Sequence, residues 1–259
     1  MSPSHVELNG EPVDAVGVDL LRAASYGHFT SMQVRDGRVR GLDLHLERLD
    51  AASRELFGSG LPGDRVLAHV RGALHRSGAR DASVRVAGFR GATLVTVSDP
   101  IAPTAAPPRL LAVEHERAVP HLKHTGTFAL VYFGEQAQAA GYDDAIFVDR
   151  AGHVSEAAIW NVCFAAGDRI VWPRAAVLPG ITMLTLQQGL AATGGGSEER
   201  EIPLADLGSY DAAYLTNSID PALPVASITS PDGTVTYEAH AESAELIAAA
   251  YAAVPLDEI

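Results

Sequence analysis

The chain has 259 residues, of which 47% are hydrophobic, and a formal net charge of −13 at pH 7. This length allows one large domain or two moderate ones, with a substantial core. The acidic residues are spread along the chain, which argues against a nucleic-acid surface, because phosphate contacts need clustered Lys and Arg. The single cysteine, Cys163, excludes an internal disulfide, and its apolar neighbours predict a buried small hydrophobe.

The first residues, MSPSHVELNGEPVD, lack the basic region and apolar stretch of a signal peptide, and no signal peptide is expected. No apolar run approaches the length of a membrane span. A cytoplasmic location is therefore the expectation from sequence.

The first half of the chain alternates hairpin, helix and strand signals. Asn-Gly in VELNGEPV and Asp36-Gly37 in FTSMQVRDGRVRG each predict a hairpin. LDLHLERLDAASRELFG has helical spacing and predicts a helix that ends at Gly58, and DRVLAHVRGALHRSG predicts a second helix. ASVRVAGF and ATLVTVS read as strands. The proline-rich residues 98–109 predict a linker, so we expect a smaller N-terminal α/β domain over residues 1–104 and a larger C-terminal domain over residues 105–259.

The second half is richer in predicted strands. RLLAVEHE is expected to be extended, and YFGEQAQAAG helical up to Gly141. Turns divide residues 143–173 into a series of strands, and ITMLTLQQGLAA predicts a helix after Pro179-Gly180. TGGGSEER is expected to be a short flexible loop, AAYLTNS and PVASI short strands, and AESAELIAAAYAAV a terminal helix.

Lys123, in the segment LKHTG, is the only lysine in the chain, and the other 18 of the 19 basic residues are arginine. Arginine can replace a surface lysine, but it does not readily lose its proton and is a poor amine nucleophile. A single retained lysine therefore suggests amine chemistry, although a biased base composition could also leave one lysine by chance.

Two common kinds of catalytic site are disfavoured by spacing. His121 and His124 flank the lysine, and His69 and His75 fall on an amphipathic helix; neither pair has the pattern of metal ligands. No Gly-x-Ser-x-Gly elbow of a serine hydrolase occurs. We expect no metal site.

Several other side chains become informative when they are taken together. Each has an ordinary structural interpretation by itself, such as a solvated helix residue or a turn residue. A helix N-terminus with free N–H groups can bind phosphate, and an arginine adds a fixed positive charge. An amine, a carboxylate and a set of phosphate-binding groups are what pyridoxal 5′-phosphate requires. The candidates are Arg48, Lys123, Glu156, Asn161, Ile181, Thr182, Asn217 and Ser218.

Five blocks, in this order, resemble the class IV aminotransferases, also called fold-type IV pyridoxal-phosphate enzymes. This family includes branched-chain and D-amino acid aminotransferases and 4-amino-4-deoxychorismate lyase. The resemblance implies an α/β (α+β) fold of two α/β domains, with the cofactor between them and residues 98–109 at a wall of the site. It also implies a homodimer. The blocks are YGHFTSMQVRDGRVRGLDLHLERL, LKHTG, GYDDAIFVDRAGHVSEAAIWNV, VLPGIT and LTNSIDPALPV.

The resemblance also implies roles for individual residues. Lys123 resembles the lysine that forms the Schiff base and moves the proton, and Glu156 the partner of the pyridine nitrogen. Asn161 matches the asparagine that follows this glutamate. The phosphate cradle is expected from Arg48, Ile181, Thr182, Asn217 and Ser218, and the substrate contacts from Tyr26, Phe29 and Phe128.

Three positions depart from the family pattern. Phe128 stands five residues after the lysine, where many of these aminotransferases have a tyrosine. Met183 follows the GIT block and Gln33 lies in FTSMQV, where arginine is common. These differences predict that the substrate carboxylate is bound by other groups than usual.

Three functions are left open by the sequence. The first is an aminotransferase that moves an amino group from an amino acid or amine to an oxo acid by a ping-pong mechanism. The second is 4-amino-4-deoxychorismate lyase, which releases pyruvate and is suggested by LKH and the short length. The third is a non-catalytic binding protein on the same scaffold. The size of the transaminase branch favours the first.

Overall fold

A computed structural model describes residues 7–8, 11–12 and 24–259. Strands β1 (Glu7–Leu8) and β2 (Glu11–Pro12) pair antiparallel, as the Asn-Gly signal predicts. The residues between these strands lie outside the described residues, and so does most of the segment that was assessed for a signal peptide. None of the helices in the described part of the chain is both long and apolar enough to cross a membrane.

A three-stranded antiparallel sheet forms the first layer. It has the order β3-β5-β6, with β3 at His28–Val34, β5 at Ala82–Phe89 and β6 at Ala92–Ser98. Helices α1 (Leu42–Phe57) and α2 (Gly63–Ser77) pack on it through a core that includes Met32, Val34, Leu49, Val66, Val70, Val84 and Val86. The helices and strands predicted for this region are confirmed, including the stop of α1 at Gly58, whose φ of 75° suits glycine.

A short strand, β4 (Arg38–Arg40), follows the turn at Asp36-Gly37. Both turn residues have positive φ, and Arg35 and Arg38 form the bridge of the predicted hairpin. Residues 99–108 contain neither helix nor strand, which agrees with their proline content. The division into domains at residue 104 stays a prediction.

A ten-stranded sheet dominates the rest of the chain. Its main path is β12-β11-β10-β9-β8-β7-β15-β16, and β13 pairs with β10 and with β14. Its strands are β7 (Arg109–Glu114), β8 (Asp144–Val148), β9 (Val154–Ala157), β10 (Asn161–Ala166), β11 (Arg169–Pro173), β12 (Gly196–Arg200), β13 (Ala212–Thr216), β14 (Leu223–Pro224), β15 (Ser227–Ser230) and β16 (Gly233–Thr236).

Three helices and a short 3₁₀ helix accompany this sheet. They are α3 (Phe128–Ala139), α4 (Ile181–Thr193), the 3₁₀ helix (Leu204–Ser209) and α5 (Ala241–Ala253). Helices α4 and α5 cover one face, where Leu186 and Leu190 of α4 and Ile247 of α5 pack with Trp172 and Tyr214 of the sheet. The opposite face packs around Phe164, Ile202, Leu215 and Ile228.

Three expectations from sequence are wrong in detail. TGGGSEER is not a loop throughout, because residues 196–200 form β12, an edge strand parallel to β11. PVASI is not one strand: Pro224 ends β14, and β15 begins only at Ser227. Helix α3 begins at Phe128, four residues before the predicted segment.

A further strand, β17 (Leu256–Glu258), follows α5 and was not predicted. It pairs antiparallel with β4, far away along the chain. Next to this pair, the backbone N–H of Leu42 at the start of α1 donates to Asp257 Oδ2 at 3.1 Å. The two distant segments are thereby joined at the N-terminus of α1.

Candidate functional site

A cavity of about 470 Å³ opens between the three-stranded sheet and the ends of β9, β10 and β13. This volume lies in the range of small-molecule sites. Ser98 and Ile101 contribute to its wall from the predicted linker. Nine of the residues singled out from sequence line this cavity: Phe29, Arg48, Lys123, Glu156, Asn161, Ile181, Thr182, Asn217 and Ser218.

Lys123 is fixed by backbone pairing of its segment with β3. The N–H of Phe29 donates to the carbonyl of Lys123 at 2.8 Å, and the N–H of Thr125 donates to the carbonyl of Gly27 at 2.8 Å. The Nζ atom lies 4.9 Å from the centroid of the Phe29 ring. Burial, helped by the charges of Arg48 and Arg117, lowers the pKa of this amine to about 7. A large fraction of Lys123 is therefore a neutral nucleophile near neutral pH.

Glu156 lies on β9 and is held from two sides. The Nε of Arg117 donates to Glu156 Oε1 at 2.6 Å, and the N–H of Leu178 donates to Oε2 at 3.2 Å. The side chains of Glu156 and Arg117 are only 4% and 7% exposed. Burial raises the pKa of the Glu156 carboxyl, and the Arg117 guanidinium opposes that rise. A buried carboxylate with one fixed partner suits a protonated ring nitrogen.

The N-terminus of α4 forms a cup with an arginine beside it. The backbone N–H groups of Ile181 and Thr182 have no intrahelical acceptor at this position and suit phosphate. The guanidinium of Arg48 donates to the carbonyl of Pro179, just before the helix. Burial lowers the pKa of Arg48 to about 10, so this side chain is still positively charged at neutral pH. We call Arg48, Ile181, Thr182 and Ser218 the phosphate cup.

The end of β13 completes the cup. The hydroxyl of Thr182 donates to the carbonyl of Asn217 at 2.7 Å, which ties α4 to this strand end. The side-chain oxygen of Asn217 accepts from the N–H groups of Ile219 and Asp220, so it shapes the turn. Next to it, the hydroxyl oxygen of Thr216 is buried, lines the cavity and has no hydrogen-bond partner. Because buried polar atoms are usually paired, this orphan atom fits a site built for a polar ligand.

Asn161 positions the loop before α4. Its Nδ2 donates to the carbonyl of Leu178 at 2.7 Å. Gly180 packs so closely that an added Cβ would lie 2.0 Å from Asn161 Oδ1. The amide of Asn161 therefore supports the loop that leads into the cup, and a side chain at position 180 would have to displace this amide.

Two residues proposed for substrate contact do not line the cavity. Tyr26 is 59% exposed and packs edge-on against Phe57, with ring centroids 6.2 Å apart. Phe128 is 80% exposed and stacks on Tyr132. Phe29 does line the cavity, because it points inward from β3.

The three departures from the family pattern also have clear positions. Gln33 lines the cavity, but its side-chain oxygen already accepts from Arg35 and from Ser83. Met183 is buried in the core beneath α4. Phe128 cannot stand in for a hydroxyl donor and lies outside the lining.

Sequence reasoning missed two arginines. Arg117 pairs with Glu156, and Arg85 lines the cavity with its guanidinium carbon 3.6 Å from the centroid of the Phe29 ring. Arg85 interrupts the otherwise apolar strand ASVRVAGF, and that was the available signal for it. Arg117 has no local signal, because its partner lies 39 residues away.

The cavity brings an amine, a carboxylate and a helix N-terminus with a neighbouring arginine together in a mixed α/β fold, and these are the groups that a pyridoxal-phosphate enzyme needs. The family model for class IV amino-transferases matches residues 27–228. The chain therefore belongs to the class IV aminotransferases. Its cofactor is pyridoxal 5′-phosphate, in agreement with the family and with the amine, carboxylate and cup that line the cavity.

Curated relatives are named as branched-chain aminotransferases. The chain is 25% identical over 233 residues to branched-chain-amino-acid aminotransferase-like protein 2 of Arabidopsis thaliana. The matched region covers 80% of this chain and 41% of that protein. It is 22% identical over 264 residues to the probable branched-chain-amino-acid aminotransferase of Rickettsia felis, with 91% of both chains covered. The chain thus spans less than half of the first relative and most of the second.

Solved structures share the fold. A Legionella pneumophila protein, provisionally described as a 4-amino-4-deoxychorismate lyase, has a TM-score of 0.78 at 21% identity, covering 86% of this chain and 89% of that one. A hypothetical aminotransferase from Mycobacterium tuberculosis in its PLP-bound form has a TM-score of 0.77 at 21% identity, covering 95% and 96%.

Proposed function

We propose that this chain is an aminotransferase that moves an amino group between an amino acid or amine and an oxo acid by a ping-pong mechanism. The observation that carries the proposal is the amine of Lys123, which has a lowered pKa and lies in the cavity with Glu156 and Arg48. Family membership and the curated relatives support the same reaction.

The residues of the site have complementary tasks. Bound pyridoxal phosphate supplies an electron sink for the bonds at the α-carbon of the substrate. Lys123, as a neutral amine, would hold the cofactor covalently and, once the substrate amine has displaced it, would be free to carry the proton between the α-carbon of the substrate and the cofactor. Glu156, steadied by Arg117, would hold the ring nitrogen protonated, and the phosphate cup would hold the phosphate.

The remaining walls of the cavity select the substrate. Phe29, Leu130 and Trp160 supply apolar surface that excludes water. Arg48 and Arg85 are the cavity arginines without a carboxylate partner among the described residues. Because Arg48 belongs to the phosphate cup, Arg85 is the one that supplies a positive charge for a substrate carboxylate. In this proposal, Arg85 takes the place of the polar side chains that are common in the family at the positions of Gln33, Phe128 and Met183.

The cofactor assignment is tested by the absorption spectrum of the purified protein with pyridoxal phosphate. Lys123→Ala and Lys123→Arg are expected to lose the band of the covalently attached cofactor, and Lys123→Arg is the matched control because it keeps the charge but not the nucleophile. Addition of single amino donors to wild type should then bleach the band. If the band persists in Lys123→Arg, Lys123 is not the residue that attaches the cofactor, and the proposed mechanism is wrong.

The lyase is a second candidate, because the Legionella protein provisionally described as such a lyase shares the fold at a TM-score of 0.78. This reaction needs no amino acceptor. Pyruvate and 4-aminobenzoate should then appear from aminodeoxychorismate alone. If neither appears while a donor bleaches the band, the lyase is excluded. A protein that forms no band at all would be a binding protein on this scaffold.

A homodimer is also proposed. Four exposed apolar residues lie on or next to the wall of the cavity, and we call them the rim patch: Val131 and Ile159, which line the cavity, and Phe128 and Tyr132, which stack on each other and flank Val131 in the sequence of α3. Their exposed fractions run from 46% to 80%. Exposed large apolar side chains grouped in this way are typical of a protein interface, and a second copy that covers them would also cover part of the cavity wall. A cytoplasmic location remains a prediction.

A further inference from the structure

A second, smaller cavity lies behind the phosphate cup. Its volume of about 30 Å³ is enough for a water molecule. It shares Ile181, Thr182 and Ser218 with the main cavity, and Arg40 of β4 lines it as well. The small cavity therefore connects the cup with an arginine that no motif pointed to.

Arg40 is held in an unusual environment. Its guanidinium carbon lies over the Tyr251 ring, 4.6 Å from the centroid, which is a cation–π contact that holds the guanidinium in place. The Nε atom is buried and has no hydrogen-bond partner. No ion pair of Arg40 occurs within the part of the chain that the structure describes. A buried donor without an acceptor costs free energy, which points to a missing polar partner.

The charge of the expected ligand supplies a reason. A phosphate ester carries about −1.5 to −2 charges near pH 7. In the cup, Arg48 supplies one positive charge and the α4 N-terminus roughly +0.5. Lys123 adds little positive charge, because burial lowers the pKa of its amine to about 7 and because this amine is the group to which the cofactor is attached. A second cation near the cup would bring the charges close to balance.

We propose that Arg40 is a second phosphate-binding cation of this site, which acts on the cofactor phosphate through a water molecule in the small cavity. The proposal rests on the phosphate cup described above. Arg40 is aligned for this task by two distant elements, since β4 is paired with β17 and the guanidinium lies over the ring of Tyr251 of α5. The C-terminal part of the chain thereby supports cofactor binding.

The test compares pyridoxal phosphate with pyridoxal, which lacks the phosphate. The full chain, stripped of cofactor, is titrated with each compound, and attachment is followed by absorbance. Arg40→Gln should weaken pyridoxal-phosphate binding about tenfold, the equivalent of one charge-assisted hydrogen bond, and leave pyridoxal binding unchanged. Arg40→Lys should fall between wild type and Arg40→Gln.

Arg38→Gln is the matched control. Arg38 lies two residues away on the same strand, is exposed, and pairs with Asp36 at 3.8 Å. This variant should bind both compounds as wild type does. The melting temperature of each cofactor-free variant shows whether the fold is kept.

Two outcomes would overturn the proposal. Unchanged pyridoxal-phosphate affinity in Arg40→Gln would remove any phosphate role, and a parallel loss for both compounds would assign Arg40 a structural role only. Arg48→Gln separates this inference from the cup itself. If Arg48→Gln loses the preference for the phosphate and Arg40→Gln does not, the cup stands and the role of Arg40 falls. If Arg48→Gln also keeps the preference, the cup is misplaced.

Discussion

The amine of Lys123 has a pKa near 7, mainly because it is buried, compared with 10.5 for an exposed lysine. A lowered pKa means that the neutral amine is present above about pH 7 and is lost as the pH falls below it. We therefore expect the rate of amine labelling at Lys123 in the cofactor-free protein to rise with a midpoint near pH 7. Because the chain has one lysine, mass spectrometry assigns the label without ambiguity.

The control for this measurement is Lys123→Arg, in which only the N-terminal amine can react. Its labelling profile, subtracted from that of wild type, isolates the buried amine. A midpoint near 10.5 would show that Lys123 is solvated and would contradict the electrostatic picture of the cavity.

Gly180 is the position in the site with the least tolerance for a side chain. A Cβ there would lie 2.0 Å from Asn161 Oδ1, so Gly180→Ala must displace either the amide or the start of α4. We expect a loss of about 1–3 kcal/mol in the free energy of unfolding, together with weaker cofactor binding. Urea denaturation and cofactor titration measure the two effects.

Gly208→Ala is the matched control, because nothing lies within 4 Å of its added Cβ. It should change the stability by a few tenths of a kcal/mol at most. If the two variants behave alike, the close packing of Gly180 against Asn161 has no energetic consequence.

Some residues of the site could be predicted from the sequence and others could not. Lys123 and Glu156 could be singled out because their residue type and neighbouring block are informative. Arg85 and Arg117 could not, because an isolated arginine has many ordinary uses and only the fold shows what it faces. Tyr26 lies in the first block and Phe128 lies two residues after LKHTG, yet neither side chain lines the cavity.

At the scale of elements, helix α1 is capped from the far end of the chain. Gly41 precedes the helix and has no side chain to cap it, and Asp257 of β17 accepts from the N–H of Leu42 instead. Asp257→Ala should therefore lower the free energy of unfolding by about 1 kcal/mol, as for the loss of an N-cap. Chemical denaturation measures it.

Glu258→Ala is the neighbouring control, because Glu258 is exposed and makes no contact with the helix start. Its effect should be much smaller. Equal losses in both variants would mean that β17 contributes through strand pairing alone and that the cap is not significant.

Elements with a strong local signal were predicted well, and two polar edge strands were not. Helices α1 and α2 and strands β5 and β6 follow apolar periodicity and end at glycines or turns. Strand β12 is mostly polar and partly or fully exposed, and β17 has three residues. Both strands form by backbone pairing with a distant strand, and this pairing does not require a periodic pattern of apolar side chains in the sequence.

For the whole molecule, the rim patch gives a prediction about assembly. We expect sedimentation to show a dimer, because exposed Phe128 and Tyr132 favour burial against a second copy. The double variant Phe128→Ser/Tyr132→Ser should shift the protein toward monomer and reduce turnover. Both residues lie outside the lining, so pyridoxal-phosphate attachment should survive.

Leu94→Ser is the control, since Leu94 is 42% exposed on β6 but does not belong to the rim patch. It should leave the oligomeric state unchanged. A wild-type protein that sediments as a monomer at all concentrations would contradict the proposed homodimer.

The contact between Leu42 and Asp257 has a consequence for synthesis on the ribosome. The two residues are 215 positions apart, so at about 5–20 residues per second the start of α1 waits roughly 10–40 s for its cap. Arg40, two residues before Leu42, waits equally long for Tyr251. With Arg40 in the proposed role, the phosphate site of the nascent chain would be complete only after α5 and β17 have emerged, and cofactor binding would then be a late step in its maturation.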